Sequence, residues 1–233
     1  MTSFLIGATT SNSGKTTITM GLLRALSNRG LIVQPYKCGP DYIDTMFHKQ
    51  ASGRKSINLD TFMSSTCHIK ELFELYSVGA DIRIVEGVMG LYDGYDTWQG
   101  SSAEIAMLLD IPVILAINAK SVAYSVAPLI HGFHKFIPPK TPQIPSPQPL
   151  NVAGVIFNQV ASETHYQHLR KACEDGGVVC LGYLPHNPQL TVPSRHLGLT
   201  ITEKENMESF INLAAQEAGK HINIDKLLEL LQR

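Results

Sequence analysis

The segment IGATTSNSGKTT, residues 6–17, contains the residue types that hold a nucleotide phosphate. It lies between a short apolar run and a helix-forming stretch, which is where a phosphate-binding loop belongs. Backbone N–H groups would hold phosphate oxygens, Lys15 would reach the β- and γ-phosphates, and the Thr16 hydroxyl would ligate Mg²⁺. The pattern G-x-x-x-x-G-K-[ST] fails only at Thr9, which replaces the first glycine. We therefore predict a variant ATP-binding loop formed by Ser11, Asn12, Ser13, Gly14, Lys15, Thr16 and Thr17.

Variant loops of this kind occur in two groups of P-loop proteins. The partitioning and cell-division ATPases and the nitrogenase iron protein carry a second lysine early in the loop, where this sequence has Thr10. The amidoligases and dethiobiotin synthetases lack that lysine, and the sequence is similar to them in this respect. The remaining alternative is a small-residue turn into a helix, in which the Gly-Lys-Thr sequence binds nothing.

Four acidic side chains lie where two further apolar runs end. Asp41 and Asp44 follow one run in the segment YKCGPDYID, Glu86 ends the next, and Asp93 lies in the glycine-containing loop after it. Ligands of open α/β sheets bind at the carboxyl ends of the strands, so we expect these acids to surround the γ-phosphate. Each acid alone could instead be a solvated loop carboxylate or a helix cap. With the two nearby cations, the candidate catalytic residues are Lys15, Lys37, Asp41, Asp44, Glu86 and Asp93.

These carboxylates would repel a triphosphate unless a divalent cation were bound. Mg²⁺ takes oxygen ligands, keeps several waters and uses one or two carboxylates. We predict a magnesium site formed by Thr16, Asp44 and Glu86, directly or through water, with Asp41 nearer the substrate. The other acids would orient a substrate or transfer a proton. Because loop carboxylates contribute little packing, Asp41→Asn and Glu86→Gln are expected to leave the fold largely intact.

Short apolar runs alternate with longer amphipathic stretches along the chain. Six runs predict strands: SFLIGA, LIVQPYK, DIRIVEG, IPVILAIN, NVAGVIFN and GGVVCLGYL. Strands this uniformly apolar are buried on both faces, as in a parallel sheet covered by helices. Helices are predicted between them, one starting in DYIDTMFH and another formed by SVAYSVAPLIHGFHKF, and two more follow Glu203. The expected fold is α/β, a P-loop NTPase-like, doubly wound, mostly parallel sheet flanked by helices.

Composition excludes several classes of partner. The chain has 233 residues and a net charge of −1, so nothing indicates a basic surface for nucleic acid or for an anionic membrane. No apolar run reaches the roughly 18–20 residues that span a bilayer, and the N-terminus lacks the basic start of a signal peptide. The four cysteines form no C-x-x-C pair. We expect a cytoplasmic protein with reduced thiols and no zinc.

Residues 137–150 interrupt the pattern, because they contain six of the thirteen prolines. They are either a domain linker or a surface insertion. The strand–helix pattern resumes at Asn151, and the strand that follows fits the same sheet. We therefore expect residues 1–233 to form a single ATP-binding domain with a proline-rich surface insertion.

Several longer motifs occur in order: KCGPDYIDTMFH, NLDTFM, VEGVMGLYDG, GSSAEIAMLLDIPVILAINA, NVAGVIFNQV, HYQHLRKA, LGYLP and PSRHLGL. Together they resemble the ATP-binding part of the cobyrinic acid a,c-diamide synthases, over almost the whole chain. The related cobyric acid synthases share the phosphate-binding loop but lack GPDYID. The sequence departs from the family pattern in the proline-rich segment, residues 137–150, because this segment is longer here than in the family.

The resemblance implies a dethiobiotin synthetase-like fold and the ATP-dependent amidation of a corrinoid. A substrate carboxylate would form an acyl phosphate, and ammonia would displace the phosphate, once at the c and once at the a side chain. Asn158 would hold adenine, and Ser101 and Ser102 open a predicted helix that either holds a substrate carboxylate or is capped in the ordinary way. The implied ATP-binding set also contains Pro185, and the implied substrate-binding set is Asp41, Tyr42, Ile43, His48, Tyr92, Asp93, Ser101 and Ser102.

The family also carries a glutaminase domain, which needs a cysteine nucleophile with histidine and glutamate partners. Residues 1–233 place no cysteine in the required glycine-rich elbow, so we expect ammonia to come from a glutaminase domain in cis or in trans. The sequence does not decide whether the chain forms a homodimer. The alternatives are a nickel-sirohydrochlorin a,c-diamide synthase, a dethiobiotin synthetase-like carboxylate ligase and, in another class, a partitioning-type switch ATPase.

Overall fold

Seven strands form one sheet in the computed structural model, which describes residues 2–190, 192 and 201–232, with the backbone alone for 201–205. The strands are β1 (Thr2–Ala8), β2 (Val33–Cys38), β3 (Ile57–Leu59), β4 (Ile82–Glu86), β5 (Val113–Asn118), β6 (Val152–Val160) and β7 (Val179–Pro185). Their order across the sheet is β3-β2-β4-β1-β5-β6-β7, and neighbouring strands are parallel. The predicted fold class is confirmed.

Helices cover both faces of this sheet. They are α1 (Lys15–Asn28), α2 (Ile43–Ser52), α3 (Thr66–Leu75), α4 (Ser102–Leu109), α5 (Val126–Lys135), α6 (Glu163–Asp175), α7 (Ile201–His221) and α8 (Ile224–Leu230). Side chains alternate along the strands: Leu5 joins a core with α3, α4, α5 and α6, whereas Phe4 and Ile6 join a second core with α1, α2, α7 and α8. Burial on both faces is why the strand sequences lack polar alternation.

The sequence prediction and the structure differ at β3 and at the start of α5. The strand β3 was not predicted, because three residues are too few to show a periodic pattern. The segment SVAYSVAPLIHGFHKF becomes helical only at Val126. Residues 137–150 contain neither helix nor strand, and β6 and β7 follow them in the same sheet.

The motif PSRHLGL, residues 193–199, lies outside the described residues. Among the described residues, the helices are all too short or too polar to cross a bilayer.

Candidate active site

The predicted phosphate-binding loop connects β1 to α1 and occupies residues 9–14. Gly14 has φ 94°, a left-handed conformation that favours glycine. A Cβ atom at this position would lie 2.0 Å from Nδ2 of Asn158. Asn158 is near the end of β6 and donates a hydrogen bond to the Ser13 carbonyl at 3.2 Å. The loop and the asparagine predicted to hold adenine are therefore in direct contact.

Two side chains of this loop stabilise the loop itself. The Ser13 hydroxyl is fully buried and donates to the Thr10 carbonyl at 2.8 Å. Thr17, in the first turn of α1, donates its hydroxyl to the Leu190 carbonyl at 3.3 Å. Their backbone N–H groups, and not their hydroxyls, are the groups that fit phosphate binding. Ser11, Asn12 and Gly14 line the adjoining cavity.

Lys15 crosses from α1 to the loop that follows β4, where its ammonium group donates to the Met89 carbonyl. Burial lowers the pKa of Lys15, and the neighbouring Lys37 lowers it further, whereas Glu86, Asp44 and Asp93 act in the opposite direction. A phosphate oxygen in the cavity would offer this ammonium group a charged acceptor in place of the carbonyl.

Glu86, at the end of β4, is the acceptor for three buried donors. The Thr16 hydroxyl donates to Oε1 at 2.7 Å, and Lys37 Nζ donates to the same oxygen at 3.0 Å. His48 Nε2 lies 2.6 Å from Oε2, and its Nδ1 lies 3.0 Å from the Ser56 hydroxyl. Because an ionised carboxylate only accepts, Nε2 must carry a proton and donate it. Glu86 and His48 are both fully buried.

The surroundings favour the ionised forms of the charged residues in this cluster to different extents. Burial alone would raise the pKa of Glu86, but Lys37, His48 and Thr16 hold it well below its usual range. Burial opposes the charge of Lys37 too, yet Glu86 and Asp44 raise its pKa above the usual value. Asp44 lies 2.9 Å from Lys37 Nζ, but burial and repulsion from Glu86 raise its pKa. Glu86 is therefore the more firmly ionised of the two carboxylates.

Lys37 has no N–H left over for a ligand. Its ammonium group carries three protons and contacts three acceptors: Glu86 Oε1, the Gly87 carbonyl at 3.0 Å and Asp44 Oδ2. Only 3% of its surface is exposed. Lys37 therefore fits the role of a buried counter-ion that keeps two carboxylates together, and Lys15 is the lysine positioned to meet a phosphate.

Asp41 begins the turn into α2. Its Oδ1 accepts hydrogen bonds from the backbone N–H groups of Ile43 at 2.9 Å and of Asp44 at 3.0 Å. One carboxylate oxygen of Asp41 therefore caps the start of the helix, which is the alternative role considered for a single acid. Because α2 starts only at Ile43, Asp41 precedes the helix instead of sharing a helical face with Asp44. Half-buried Asp41 also lines the cavity that contains Lys15 and Asp44.

The remaining predicted substrate residues have other contacts in the structure. Asp93 is exposed and accepts from the Gly90 N–H at 2.9 Å, which folds the loop after β4. The Tyr92 ring packs against Phe133 and Phe136 with centroid distances of 5.9 and 5.1 Å, and burial raises its pKa to about 12. The structure thus places Asp93 near Lys15, and directs Tyr92 toward α5.

Ser101 and Ser102 are fully buried at the start of α4. Ser101 accepts from the Glu104 N–H at 3.3 Å, which is an ordinary N-cap. Ser102 accepts from the Val88 N–H at 2.8 Å and donates to the Val88 carbonyl at 3.1 Å. The geometry supports the capping alternative for Ser101, and it shows that Ser102 holds the loop that follows Glu86.

A cavity of about 590 Å³ lies at the carboxyl ends of β1, β2, β4 and β6, and the predicted substrate residues His48, Tyr92, Asp93, Ser101 and Ser102 are not in its wall. Its walls are formed by Ser11, Asn12, Gly14, Lys15, Thr16, Thr17, Lys37, Asp41, Asp44, Glu86, Gly87, Val88, Met89, Asn158, Gln159, Leu190 and Val192. A shallower cavity of about 430 Å³, formed by residues 38–43 and Val88, shares Asp41 and Val88 with it. Tyr42 and Ile43 line this second cavity, whereas Pro185 lies at the end of β7 and lines neither.

The donor set fits a magnesium ion bound with a nucleotide. Thr16 offers a hydroxyl lone pair while its proton is held by Glu86, and Asp44 offers a carboxylate in the same cavity. Glu86 already accepts from three side chains. It therefore fits a supporting position behind Thr16 better than direct ligation.

Sequence reasoning missed some residues of the site. Gln159 lines the cavity with a φ of 64°, and Ser56 and the carbonyls of Gly87 and Met89 bind site residues. The glycines of VEGVMG signal a tight loop, but no sequence pattern signals which carbonyls turn inward. A larger groove of about 710 Å³ runs beside β7 and α6, and it shares no residue with the phosphate cavity.

Curated relatives resemble this chain along nearly its whole length. The cobyrinate a,c-diamide synthase of Streptococcus sanguinis is 44% identical over 98% of this chain and 50% of its own length. That of Listeria innocua is 41% identical over 99% of this chain and 50% of its own, and the hydrogenobyrinate a,c-diamide synthase of Brucella suis is 42% identical over 97% and 50%. The chain thus spans about half the length of the curated relatives it matches.

The fold is also found in a distant solved structure. Chloroplast FtsY from Physcomitrella patens superposes with a TM-score of 0.52 at 12% identity, and the match covers 91% of this chain and 65% of that chain. A likeness at this identity shows the fold alone. The model of the CbiA family, described as the CobQ/CobB/MinD/ParA nucleotide binding domain, matches residues 4–199. The chain belongs to this family of nucleotide-binding domains.

Proposed function

We propose that this chain is the ATP-dependent, carboxylate-activating half of an a,c-diamide synthase that acts on cobyrinic or hydrogenobyrinic acid. One observation carries the proposal: Thr16, Lys37, Asp44 and Glu86 form one buried ionic cluster on the phosphate cavity, and Asp41 lies where that cavity meets a second one. The names of the relatives supply the substrate class. The proposal places the protein in the cytoplasm.

The proposed reaction has two steps at each acetate side chain. A carboxylate oxygen of the substrate attacks the γ-phosphorus of ATP, the bond from that phosphorus to the ADP oxygen breaks, and an acyl phosphate forms. Ammonia then attacks the acyl carbon and loses a proton, and inorganic phosphate leaves with the electrons of the broken C–O bond. The product is a primary amide, and the cycle occurs at the c and a positions.

Phosphoryl transfer depends mainly on positioning and on neutralising charge. Lys15 reaches the edge of the cavity from α1 and would exchange the Met89 carbonyl for a phosphate oxygen. The backbone N–H groups of residues 11–17 hold the other phosphate oxygens. Asn158 packs against Gly14 and is the side chain best placed to meet the base of the nucleotide.

Thr16 and Asp44 are the residues that would hold Mg²⁺, with Glu86 fixing the direction of the Thr16 hydroxyl. A bound magnesium ion neutralises phosphate charge and polarises the phosphate oxygens. Lys37 keeps Asp44 and Glu86 ionised side by side, which two buried carboxylates without a cation would not be.

Asp41 is the acid nearest to the substrate in this scheme. Its Oδ1 is fixed by two backbone N–H groups, so the carboxylate has one defined orientation between the two cavities. A carboxylate there would accept the proton that ammonia loses when it attacks the acyl phosphate. Ammonia itself would come from a glutaminase domain in cis or in trans.

An ammonia-supported ATPase assay with mass detection tests the proposal. Cobyrinic acid, hydrogenobyrinic acid, nickel-sirohydrochlorin and a diaminononanoate-type acid are offered in parallel, each with ATP, Mg²⁺ and an ammonium salt. We expect ADP release stimulated by one of the corrinoids and a product with one or two carboxylates converted to amides. Asp41→Asn should reduce amidation by about 100-fold or more.

Three results would contradict the proposal in different ways. Amidation of nickel-sirohydrochlorin alone would show that the substrate is this nickel tetrapyrrole and not a corrinoid. Stimulation by the diaminononanoate-type acid alone would assign it to the dethiobiotin synthetase group. ATP hydrolysis indifferent to all four acids, with ATP-dependent dimerisation, would support the switch ATPase.

A further inference from the structure

The loops that follow β2, β3 and β4 present large apolar side chains to solvent beside the phosphate cavity. Single exposed apolar residues are ordinary on protein surfaces, but a group at the rim of a polar site marks a ligand surface. The exposed members are Tyr42, Phe62, Met63, Met89 and Tyr95. They occupy the ends of three adjacent strands, because β2 lies between β3 and β4 in the sheet.

Two of these side chains form a preassembled aromatic pair. The rings of Phe62 and Tyr95 are 5.1 Å apart and meet edge to face at 65°. Although they touch, 73% of Phe62 and 55% of Tyr95 remain exposed. Phe62 belongs to the loop after β3, and Tyr95 to the loop after β4. The pair thus connects the loops of the two strands that flank β2, whose own loop carries Asp41.

A buried carboxylate holds the two aromatic loops together. Glu104, in the first turn of α4, is fully buried. Its Oε2 accepts from the Thr61 hydroxyl at 2.6 Å and from the Gly100 N–H at 2.9 Å. Gly100 has φ 78°, and a Cβ atom there would lie 2.4 Å from the Tyr95 ring. Glu104 and Gly100 therefore fix the relative position of Phe62 and Tyr95.

The loops that carry the pair offer no positive charge. Residues 39–42, 60–65 and 87–101 contain four aspartates and neither lysine nor arginine. A ligand of this surface would be recognised by apolar contact and ring stacking, not by ion pairs with its acidic groups. A macrocycle offers two exposed aromatic rings more apolar area to contact than a small aliphatic acid does.

We propose that Phe62 and Tyr95 form a platform that binds the face of the tetrapyrrole macrocycle and presents one acetate arm to Asp41 and the phosphate cavity. This inference rests on the proposed function, and it identifies Phe62 and Tyr95 as the residues that determine the affinity for the tetrapyrrole. Of the exposed apolar side chains, Tyr42 lines the cavity formed by residues 38–43 and Val88, and this cavity shares Asp41 with the phosphate cavity. Glu104 is a positioning residue for the platform.

Serine substitutions of the two rings test the platform. Phe62→Ser and Tyr95→Ser should each raise the Kd of the corrinoid about tenfold, measured by calorimetric titration with cobyrinic or hydrogenobyrinic acid in the absence of ATP. The KM of the corrinoid should rise in parallel, while the KM of ATP should stay within about twofold of the parent. Tyr95→Phe should keep the parent affinity, because the ring and not the hydroxyl makes the contact.

Tyr124→Ser is the matched control, since Tyr124 is 51% exposed and lies outside these three loops. It should leave the Kd unchanged. Thermal unfolding of each variant checks the fold, and removal of more than half-exposed side chains should change the Tm little.

The outcomes separate the platform from the proposed function. If the parent chain amidates the corrinoid and both serine variants keep its Kd, the platform is overturned and the function stands. If the parent chain binds the corrinoid without amidating it, and the variants weaken binding, the platform stands without the function. If the parent chain binds none of the tetrapyrroles, the platform is overturned.

Discussion

Glu86 and Asp44 share one lysine, yet their surroundings treat the two charges differently. Glu86 accepts from Thr16, Lys37 and His48, and these donors keep its pKa far below the usual value. Asp44 is held by the same lysine but is disfavoured as an anion by burial and by Glu86. A carboxylate whose charge is stabilised by folding contributes to stability, and one whose charge is disfavoured by folding subtracts from it.

The two amide variants should therefore differ in stability when no divalent metal is present. Glu86→Gln leaves buried Lys37 without its stronger partner and should reduce the free energy of unfolding by about 3–5 kcal/mol. Asp44→Asn also removes an ion-pair partner of Lys37 but relieves the repulsion between Asp44 and Glu86, so it should cost clearly less stability than Glu86→Gln. Urea unfolding at neutral pH measures both, and an equal loss in the two variants would contradict this assignment.

Burial also revises an expectation drawn from the sequence. A strand-end position suggested that Glu86→Gln would leave the fold largely intact, but the side chain is fully buried. The sequence places Glu86 at the end of an apolar run, and that pattern cannot show that Lys37 and His48 enclose its carboxylate. The expectation remains reasonable for half-buried Asp41.

His48 is a positioning residue, because its fully buried ring contacts Glu86 and Ser56. His48→Ala removes one of the three donors to Glu86 and should lower kcat for amidation by about 10–100-fold. The KM of the corrinoid should stay within about twofold. His48→Gln, which can retain one donor, should lose less activity. A large rise in the KM of the corrinoid with kcat unchanged would instead assign His48 to substrate binding.

At the scale of the elements, α4 positions the site through its first turn. Ser101 caps the helix, and Ser102 binds both polar backbone groups of Val88 in the loop after Glu86. Glu104, one turn into the helix, joins the loops after β3 and β4. One helix start therefore sets the shape of two loops, and the loop after β4 lines the phosphate cavity.

This arrangement predicts different consequences for the two serines. Ser101→Ala should cost about 1 kcal/mol of stability through the lost cap and leave the KM of the corrinoid unchanged. Ser102→Ala leaves the Val88 N–H and carbonyl without their partner and should lower kcat as the loop loosens. Steady-state kinetics with urea unfolding measures both effects. An increase of tenfold or more in the KM of the corrinoid for Ser101→Ala would show that the serine binds substrate.

Element prediction succeeded where the burial pattern was long and failed where it was short. The six longer strands were predicted from uninterrupted apolar runs, because a strand buried on both faces has no polar alternation. The three residues of β3 carry no such signal, although β3 positions the loop with Phe62. The phosphate-binding loop was predictable because its function requires a local sequence. The contacts of His48, Ser102 and Glu104 were not, because they join residues distant in sequence.

At the scale of the whole molecule, the sheet brings the nucleotide and acidic segments to one edge. Parallel strands direct their carboxyl ends the same way, and ligands of doubly wound sheets bind there. The proposed phosphate-binding loop follows β1, the acidic residues lie at or after the ends of β2 and β4, and Asn158 lies near the end of β6. Charges 49 residues apart in sequence, Lys37 and Glu86, become neighbours because β2 pairs with β4.

The four thiols give the last prediction, which concerns the source of ammonia. Glutamine hydrolysis needs a reactive thiolate beside a base. Burial raises the pKa of Cys38 to about 12, and a hydrogen bond with Glu71 raises that of Cys67. The pKa of Cys173 is raised by its hydrogen bond with Cys180 and by burial. The Cys173 hydrogen bond lowers the pKa of Cys180 to about 7, so Cys180 has the largest thiolate fraction of the four cysteines at neutral pH.

Cys180 nevertheless lies in the groove beside β7, which shares no residue with the phosphate cavity. We expect ammonium salts to support amidation by this chain, and glutamine to support less than about one hundredth of that rate. Because the thiolate fraction grows as pH rises through the pKa, alkylation of Cys180 by iodoacetamide should accelerate across pH 7. Neither alkylation nor Cys180→Ser should change the ammonia-dependent rate. Glutamine-dependent amidation that disappears in Cys180→Ser would show that this thiol performs the hydrolysis here assigned to another domain.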